Sequence, residues 1–159
     1  MLEVLLITCA LAPVGTAVPI GPDTFMTAHH VLADRADCSV DGRPFTIVST
    51  DPARDVLIGR SPTHFDPPPI SCEPITTGRY RLRDGQGRIR RGATATGRHV
   101  RTSPYPTVHM AELEGTTPHG ASGGPVYDAQ GRLAGIVSSA THTHTYVSQL
   151  KDTSVCPST

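Results

Sequence analysis

Apolar and polar residues alternate over short stretches along most of the chain, and Gly, Pro or Asp residues separate one stretch from the next. This period of two predicts β-strands, because successive side chains of a strand point to opposite faces of a sheet. No apolar stripe of helical spacing continues over three turns. Strands are expected at residues 3–9, 15–20, 24–28, 43–48 and 56–58, and in a second group at residues 70–75, 79–83, 88–96, 107–113, 125–127, 132–138 and 143–150.

A proline-rich segment separates the two groups of predicted strands. Three consecutive prolines occupy positions 67–69, and proline cannot donate to a central strand ladder, so residues 62–69 are expected to form an extended connector. The predicted organisation is an N-terminal β unit at residues 1–61 and a C-terminal β unit at residues 70–159. The fold class is therefore all-β, and regularly spaced short strands with glycine turns favour barrels or sandwiches.

Composition indicates a turn-rich chain and does not indicate a binding partner. The 159 residues include 15 Gly, 15 Pro and no Trp, and 37% are hydrophobic. Fourteen Lys and Arg balance fourteen Asp and Glu, so no overall field attracts a polyanion or an anionic membrane. The longest apolar run, residues 4–12, is too short to span a bilayer. It is interpreted as a buried strand rather than a secretory signal, since Glu3 is acidic where a signal is basic, but the compartment (secreted, periplasmic, cytoplasmic or viral) stays open.

Cysteine spacing argues against two kinds of site and leaves the disulfide pairing open. Cys9, Cys38, Cys72 and Cys156 contain no Cys-x-x-Cys pair, which argues against a zinc ribbon or a thioredoxin-like motif. Two disulfides and four buried thiols are both compatible with the sequence, and it does not select among the three pairings.

Basic residues are concentrated in one region, where Arg79 to Arg101 contains eight of the fourteen. Alternating Arg runs on either side of residues 84–87 predict a hairpin with a cationic, solvated face. Binding to nucleic acid would use aromatic side chains for base stacking, and only Tyr80 and Tyr105 are near, so a solubility role is the favoured interpretation.

Candidate chemistry begins with the segment Gly120-Ala121-Ser122-Gly123-Gly124-Pro125, where a serine stands between glycines ahead of an apolar strand. Acyl transfer needs an exposed nucleophile near backbone N–H groups, and glycine lets the backbone approach the substrate. The hydroxyl also needs a base and an orienting acid. His30 ends a strand pattern and Asp55 opens another apolar run. Each residue alone is more simply structural, but their joint occurrence predicts a catalytic site.

These motifs resemble those of the trypsin-like, chymotrypsin-fold serine peptidases, and the likeness extends over residues 4–150. On this alignment His30 matches the family histidine and His29 occupies a variable position. The resemblance implies two six-stranded antiparallel β-barrels with the active site at their interface. Within the family, the motifs are most similar to those of HtrA-like and glutamyl-endopeptidase-like members. The segments that carry the resemblance follow the family order His, Asp, Ser: residues 15–20, Thr-Ala-His-His-Val at 27–31, Asp-Val-Leu at 55–57 and the serine motif at 120–125.

The resemblance also implies a serine endopeptidase that hydrolyses polypeptides through an acyl-enzyme, with no metal or organic cofactor. It assigns Ser122 as the nucleophile, His30 as general base and then acid, and Asp55 as the group that fixes the imidazole tautomer. The backbone amides of Gly120 and Ser122 would form the oxyanion hole. Ser138 would support the Asp55 carboxylate.

The primary specificity pocket is expected to be uncharged. The alignment places Thr116 and Thr117 at its base and Val137 and Ala140 on a wall. Cleavage after Arg or Lys is not expected, because a buried guanidinium without a carboxylate leaves an unpaired charge. Small, uncharged or modestly apolar residues are therefore the predicted cleavage sites. The rim histidines, for which simple solvent exposure is the favoured explanation, are His119, His142 and His144.

Two other interpretations exist. The Gly-x-Ser-x-Gly elbow of α/β-hydrolases would indicate an esterase, but that fold places its acid and histidine after the serine, and only 37 residues follow Ser122. The more serious alternative is a noncatalytic peptidase-like module that binds protein or nucleic acid through the Arg-rich hairpin. The complete set of His, Asp and Ser argues against it. Oligomeric state is left open.

Overall fold

The N-terminal half folds into one curved antiparallel sheet. In the computed structural model, which describes residues 3–86 and 90–157, the sheet has the strand order β4-β1-β2-β3-β6-β5. It is a half-barrel with β4 and β5 at its edges, and this arrangement is consistent with the two-barrel fold that the resemblance implied. Its strands are β1 (Leu5–Cys9), β2 (Ala12–Pro19), β3 (Thr24–Thr27), β4 (Cys38–Val40), β5 (Thr46–Asp51) and β6 (Val56–Arg60), with the single-turn helix α1 (His29–Leu32) after β3.

The C-terminal half forms a closed barrel of six strands in the order β10-β11-β12-β9-β8-β7. The predicted antiparallel pairing of the arginine-bearing strands β7 and β8 is present, although Arg88 and the rest of residues 87–89 lie outside the described residues. The strands are β7 (Gly78–Arg83), β8 (Arg90–Thr102), β9 (Tyr105–Glu114), β10 (Pro125–Tyr127), β11 (Leu133–Ala140) and β12 (His144–Gln149). The all-β class and the two six-stranded units are thus confirmed.

One predicted strand is wrong and one strand was missed. Residues 70–75 form no strand and contribute only a single parallel bridge between Ile70 and Leu133. Backbone amides of this segment bond outside a strand ladder: the Ser71 N–H donates to the Leu133 carbonyl oxygen at 2.8 Å, and the Ile75 N–H donates to the Gln149 side chain at 2.7 Å. The Cys72 side chain is held in a disulfide. The strand that sequence analysis missed is β4, which is too short to show alternation.

Buried side chains from both halves meet between the sheet and the barrel. Val18 and Met26 of the sheet pack in one cluster with Tyr127, Ile136 and Leu150 of the C-terminal half, and all five are at most 1% exposed. Burial of a side chain of this size stabilises a fold by about 1.5–3 kcal/mol. This shared core holds the two halves together at the seam where β3 and the loop before β10 approach each other.

Both disulfides that the sequence left open are formed. Cys9 pairs with Cys38, which joins β1 to β4, and Cys72 pairs with Cys156 across a sequence separation of 84 residues. Closing a loop of that length stabilises a fold by about 4 kcal/mol in the chain-entropy estimate.

No helix among the described residues has the length and apolar character needed to cross a bilayer.

Candidate active site

His30 lies on α1, directly after β3. Burial of Val31 and Leu32 fixes the orientation of this single helical turn and leaves the His30 side chain 43% exposed on the opposite face. The His30 backbone N–H donates to Asp55 Oδ1 at 2.9 Å, and His30 Nδ1 lies 2.7 Å from Asp55 Oδ2. One carboxylate therefore holds His30 at two points, the backbone N–H and the Nδ1 atom of the imidazole.

Asp55 is completely buried although it is an acidic residue. It has a left-handed backbone conformation (φ 59°) between the 3-10 turn Pro52–Arg54 and β6, a conformation that Asp tolerates better than most residues. The Ser138 hydroxyl donates to Asp55 Oδ2 at 2.6 Å. Because a buried carboxylate is costly unless hydrogen bonds compensate it, these donors allow the group to remain in the interior.

Ser122 follows the 3-10 turn His119–Ala121 and faces the same cleft as His30. Gly123 makes the sharp bend possible, since its φ is +85° and a Cβ there would collide with the Thr16 carbonyl oxygen. The Ser122 hydroxyl lies 3.5 Å from the Ser138 carbonyl oxygen. Among the described hydrogen bonds it makes none with His30, so the nucleophile and the base share a cleft without being directly bonded.

The predicted oxyanion hole differs in this structure from the expected arrangement. The Ser122 N–H, one of its two predicted donors, donates to the His119 carbonyl oxygen at 3.3 Å and closes the 3-10 turn. The other donor belongs to the His119–Gly120 peptide. A hole with both amides directed into the cleft requires this peptide to rotate and release the Ser122 N–H.

A cleft of about 500 Å³ contains His30 and Ser122 together with the predicted specificity residues. None of its described lining residues is acidic. His144 bonds to the Thr143 hydroxyl and does not line the cleft. The predicted residues that do line it are Thr116, Thr117, Val137, Ala140, His119 and His142.

Tyr105 is a cleft residue that sequence analysis noted only as an aromatic neighbour of the arginines. It follows the tight turn between β8 and β9, and its hydroxyl lies 3.5 Å from His30 Nδ1. Burial raises the Tyr105 pKa above its usual range, and the negative charge and hydrogen bonding of Asp55 add to this rise. The phenol therefore keeps its proton at neutral pH. No spacing rule indicates this contact, which joins residues 75 positions apart.

None of the described arginine side chains of β7 and β8 lines this cleft. Arg79 and Arg81 are exposed on β7, and Arg98 pairs with the buried Glu112 at 3.7 Å. Within residues 3–86 and 90–157, no three His, Cys, Asp or Glu side chains are grouped as metal ligands would be.

Comparison with known proteins finds one matching family. The model of the trypsin-like peptidase domain matches residues 15–136. The chain is similar to the serine protease Rv3671c of Mycobacterium tuberculosis, with 34% identity over 143 residues that cover 79% of this chain and 36% of the relative. The chain thus spans about a third of the length of the curated relatives it matches.

Solved structures show the same architecture. The active form of the Rv3671c protease from M. tuberculosis superposes with a TM-score of 0.79 and 26% identity, over 93% of this chain and 76% of that chain. The MamO protease domain from Magnetospirillum magneticum superposes with a TM-score of 0.75 over 92% of this chain and 90% of that chain. At 18% identity, the second likeness shows the fold alone.

Proposed function

Because this chain belongs to the trypsin-like peptidase family, we propose that it is a serine endopeptidase that uses His30, Asp55 and Ser122. One observation carries this proposal: a fully buried Asp55 carboxylate binds both the backbone amide and Nδ1 of His30, while Ser122 faces the same cleft. A buried acid of this kind does little for stability, because its desolvation offsets much of what its hydrogen bonds contribute. It is well suited to orient a histidine base.

In the proposed reaction, the Ser122 hydroxyl attacks the carbonyl carbon of the scissile bond and gives its proton to His30 Nε2. Asp55 keeps the Nδ1 proton of His30 in place, which leaves Nε2 free to accept, and it stabilises the imidazolium that forms. His30 then donates the proton to the leaving amine, and an acyl-enzyme forms on Ser122. Water, activated by His30, hydrolyses this ester and restores the enzyme.

The tetrahedral intermediate needs the amides of Gly120 and Ser122 as donors. We infer that the His119–Gly120 peptide rotates when substrate binds, so that the Ser122 N–H leaves the His119 carbonyl. Among the described contacts, this rotation breaks one long hydrogen bond, and a typical protein hydrogen bond is worth about 0.5–1.5 kcal/mol net. A developing oxyanion offers that N–H a stronger, charge-assisted partner.

The residue on the acyl side of the scissile bond is proposed to be small or uncharged. Thr116, Thr117, Val137 and Ala140 line the cleft with short side chains, and no carboxylate there could neutralise a bound Arg or Lys. A library of peptides that varies this position tests the proposed function. We expect cuts after small or modestly apolar residues, and preferred cleavage after Arg or Lys would contradict the assignment.

Asp55→Asn is expected to lower kcat by about ten-thousandfold with little loss of fold. The amide has the shape of the carboxylate but presents a donor to His30 Nδ1, which favours the wrong tautomer and no longer stabilises the imidazolium. Steady-state kinetics on the best library peptide measure the effect. Asp128→Asn is a matched control, because Asp128 bonds Arg132 away from the cleft. A kcat for Asp55→Asn within tenfold of the parent protein would exclude the role proposed for Asp55.

We do not favour the noncatalytic alternative. A binding module has no need of a buried carboxylate that orients a cleft histidine, and the exposed arginines of β7 lie outside this cleft. Polypeptide is accordingly the proposed substrate.

A further inference from the structure

Thr16 on β2 holds the nucleophile segment from the N-terminal sheet. Its backbone N–H donates to the Ser122 carbonyl oxygen at 2.9 Å, and its hydroxyl donates to the Gly120 carbonyl oxygen at 2.8 Å. The same hydroxyl accepts a hydrogen bond from the Gly85 N–H at 2.7 Å. Thr16 is completely buried, so water does not compete for these bonds. A single residue of the opposite half therefore binds both ends of the segment 120–122.

We propose that Thr16 is a positioning residue, whose hydroxyl fixes the Gly120 carbonyl and thereby the placement of the Ser122 nucleophile. The inference deepens the proposed function and rests on it, since it concerns the efficiency of the same site. It goes beyond the three catalytic residues, because Thr16 contacts neither His30 nor Asp55 among the described hydrogen bonds.

The direction of these hydrogen bonds is determined by chemistry. A backbone N–H can only donate, so the Thr16 oxygen must act as the acceptor for Gly85. A hydroxyl carries one proton, and the Gly120 carbonyl can only accept, so that proton is directed to Gly120. The Thr16 side chain consequently has one favourable orientation and anchors Gly120 firmly.

This anchor has a consequence for the oxyanion hole. The Gly120 and Ser122 carbonyls are held by Thr16, whereas the His119 carbonyl is bonded only within its own 3-10 turn among the described contacts. The His119–Gly120 peptide can therefore rotate while Ser122 stays in place. Without the Thr16 hydroxyl, the Gly120 carbonyl is no longer held, and the Ser122 nucleophile can shift. A misplacement of about 1 Å in an active site can reduce the rate by about a hundredfold.

Thr16→Val tests the proposal because it keeps the shape of the side chain and removes the hydroxyl. We expect kcat on the best library peptide to fall by about ten- to a hundredfold while KM changes by less than about threefold, since substrate contacts remain. Thr16→Ser keeps the hydroxyl and should retain most of kcat. If Thr16→Val does not fold, Thr16→Ala removes the same hydroxyl without a branched methyl and carries the same expectation.

Thr153→Val is the matched control. The Thr153 hydroxyl is also buried and donates to a backbone carbonyl, that of Leu150, at 2.8 Å, but Thr153 does not line the cleft. Both valine variants should lose comparable stability in thermal unfolding, and only Thr16→Val should lose kcat. Equal kcat values in the two variants, or a failure of Thr16→Ser to restore kcat, would overturn the proposal.

Amide hydrogen exchange supplies a readout that does not depend on hydrolysis. Thr16→Val should speed exchange at Gly85, whose N–H loses its acceptor, and within residues 119–124, relative to Thr153→Val. If the parent protein hydrolyses no peptide but this difference in exchange is found, the proposed function fails and the structural anchor stands. If the parent protein is active and exchange is unchanged in Thr16→Val, the anchor fails and the proposed function stands.

Discussion

Replacing Ser122 with alanine is expected to lower kcat by about a millionfold, because the variant cannot form the acyl-enzyme and can only assist direct attack by water. The fold should persist. The Ser122 hydroxyl makes one described hydrogen bond, at the long distance of 3.5 Å, so its removal leaves no strong buried partner unsatisfied. Single-turnover kinetics with excess enzyme are needed to measure so slow a reaction, and thermal unfolding checks the fold.

Ser154→Ala provides the control for this variant, since Ser154 is exposed and lies outside the cleft. Its kcat should equal that of the parent protein. A Ser122→Ala variant that is folded and retains more than about 1% of kcat would show that another group is the nucleophile, because the loss of a nucleophile costs far more than a hundredfold.

His30→Ala is expected to reduce kcat by a similar factor of about a million, whereas His29→Ala should be far milder. Adjacent residues of a helical turn point about 100° apart, so only one of the two can face Asp55. His30 does so, with Nδ1 2.7 Å from the carboxylate, while His29 contacts Asp55 through its backbone N–H, which alanine keeps. Kinetics of the two single variants form the test. If His29→Ala abolished activity and His30→Ala spared it, the proposed assignment of the base would be wrong.

The pattern of apolar and polar residues predicted most strands, but it failed where the backbone hydrogen-bonds to groups outside a strand ladder. Residues 125–127 were predicted as a strand with the bounds that β10 has, because a buried apolar run follows a glycine turn. Residues 70–75 were also predicted as a strand, yet the Ser71 N–H donates to the Leu133 carbonyl oxygen and the Ile75 N–H donates to the Gln149 side chain, and the segment makes a single bridge. The alternation of apolar and polar residues indicates which face of a strand is buried, but it does not indicate which group each backbone amide will hydrogen-bond.

The residues predicted for the site were those with local motifs. Ser122, His30 and Asp55 each stand in a short segment of recognisable form, and all three lie at the seam between the two halves. Tyr105 and Thr16 carry no such signal, because their contacts depend on how a hairpin of one half and a strand of the other meet. The cysteine pairing was hidden for the same reason.

The sequence also did not predict the orientation of the His119–Gly120 peptide, whose N–H is a proposed oxyanion donor. A Gly-x-Ser-Gly motif gives the residue types, but Gly120 permits the preceding peptide to adopt either orientation. In the structure, the Ser122 N–H donates to the His119 carbonyl oxygen. The motif therefore predicts which backbone donors are present, and in the mechanism proposed above the bound transition state selects the orientation in which both donors face it.

Reaction with a fluorophosphonate, followed by peptide mapping in a mass spectrometer, tests the central claim most directly. The reagent requires an activated serine, so the claim that His30 activates Ser122 predicts one adduct, on Ser122, in the parent protein and a greatly reduced adduct in His30→Ala. A folded parent protein that remains unmodified, or one modified at a different serine, would contradict the claim.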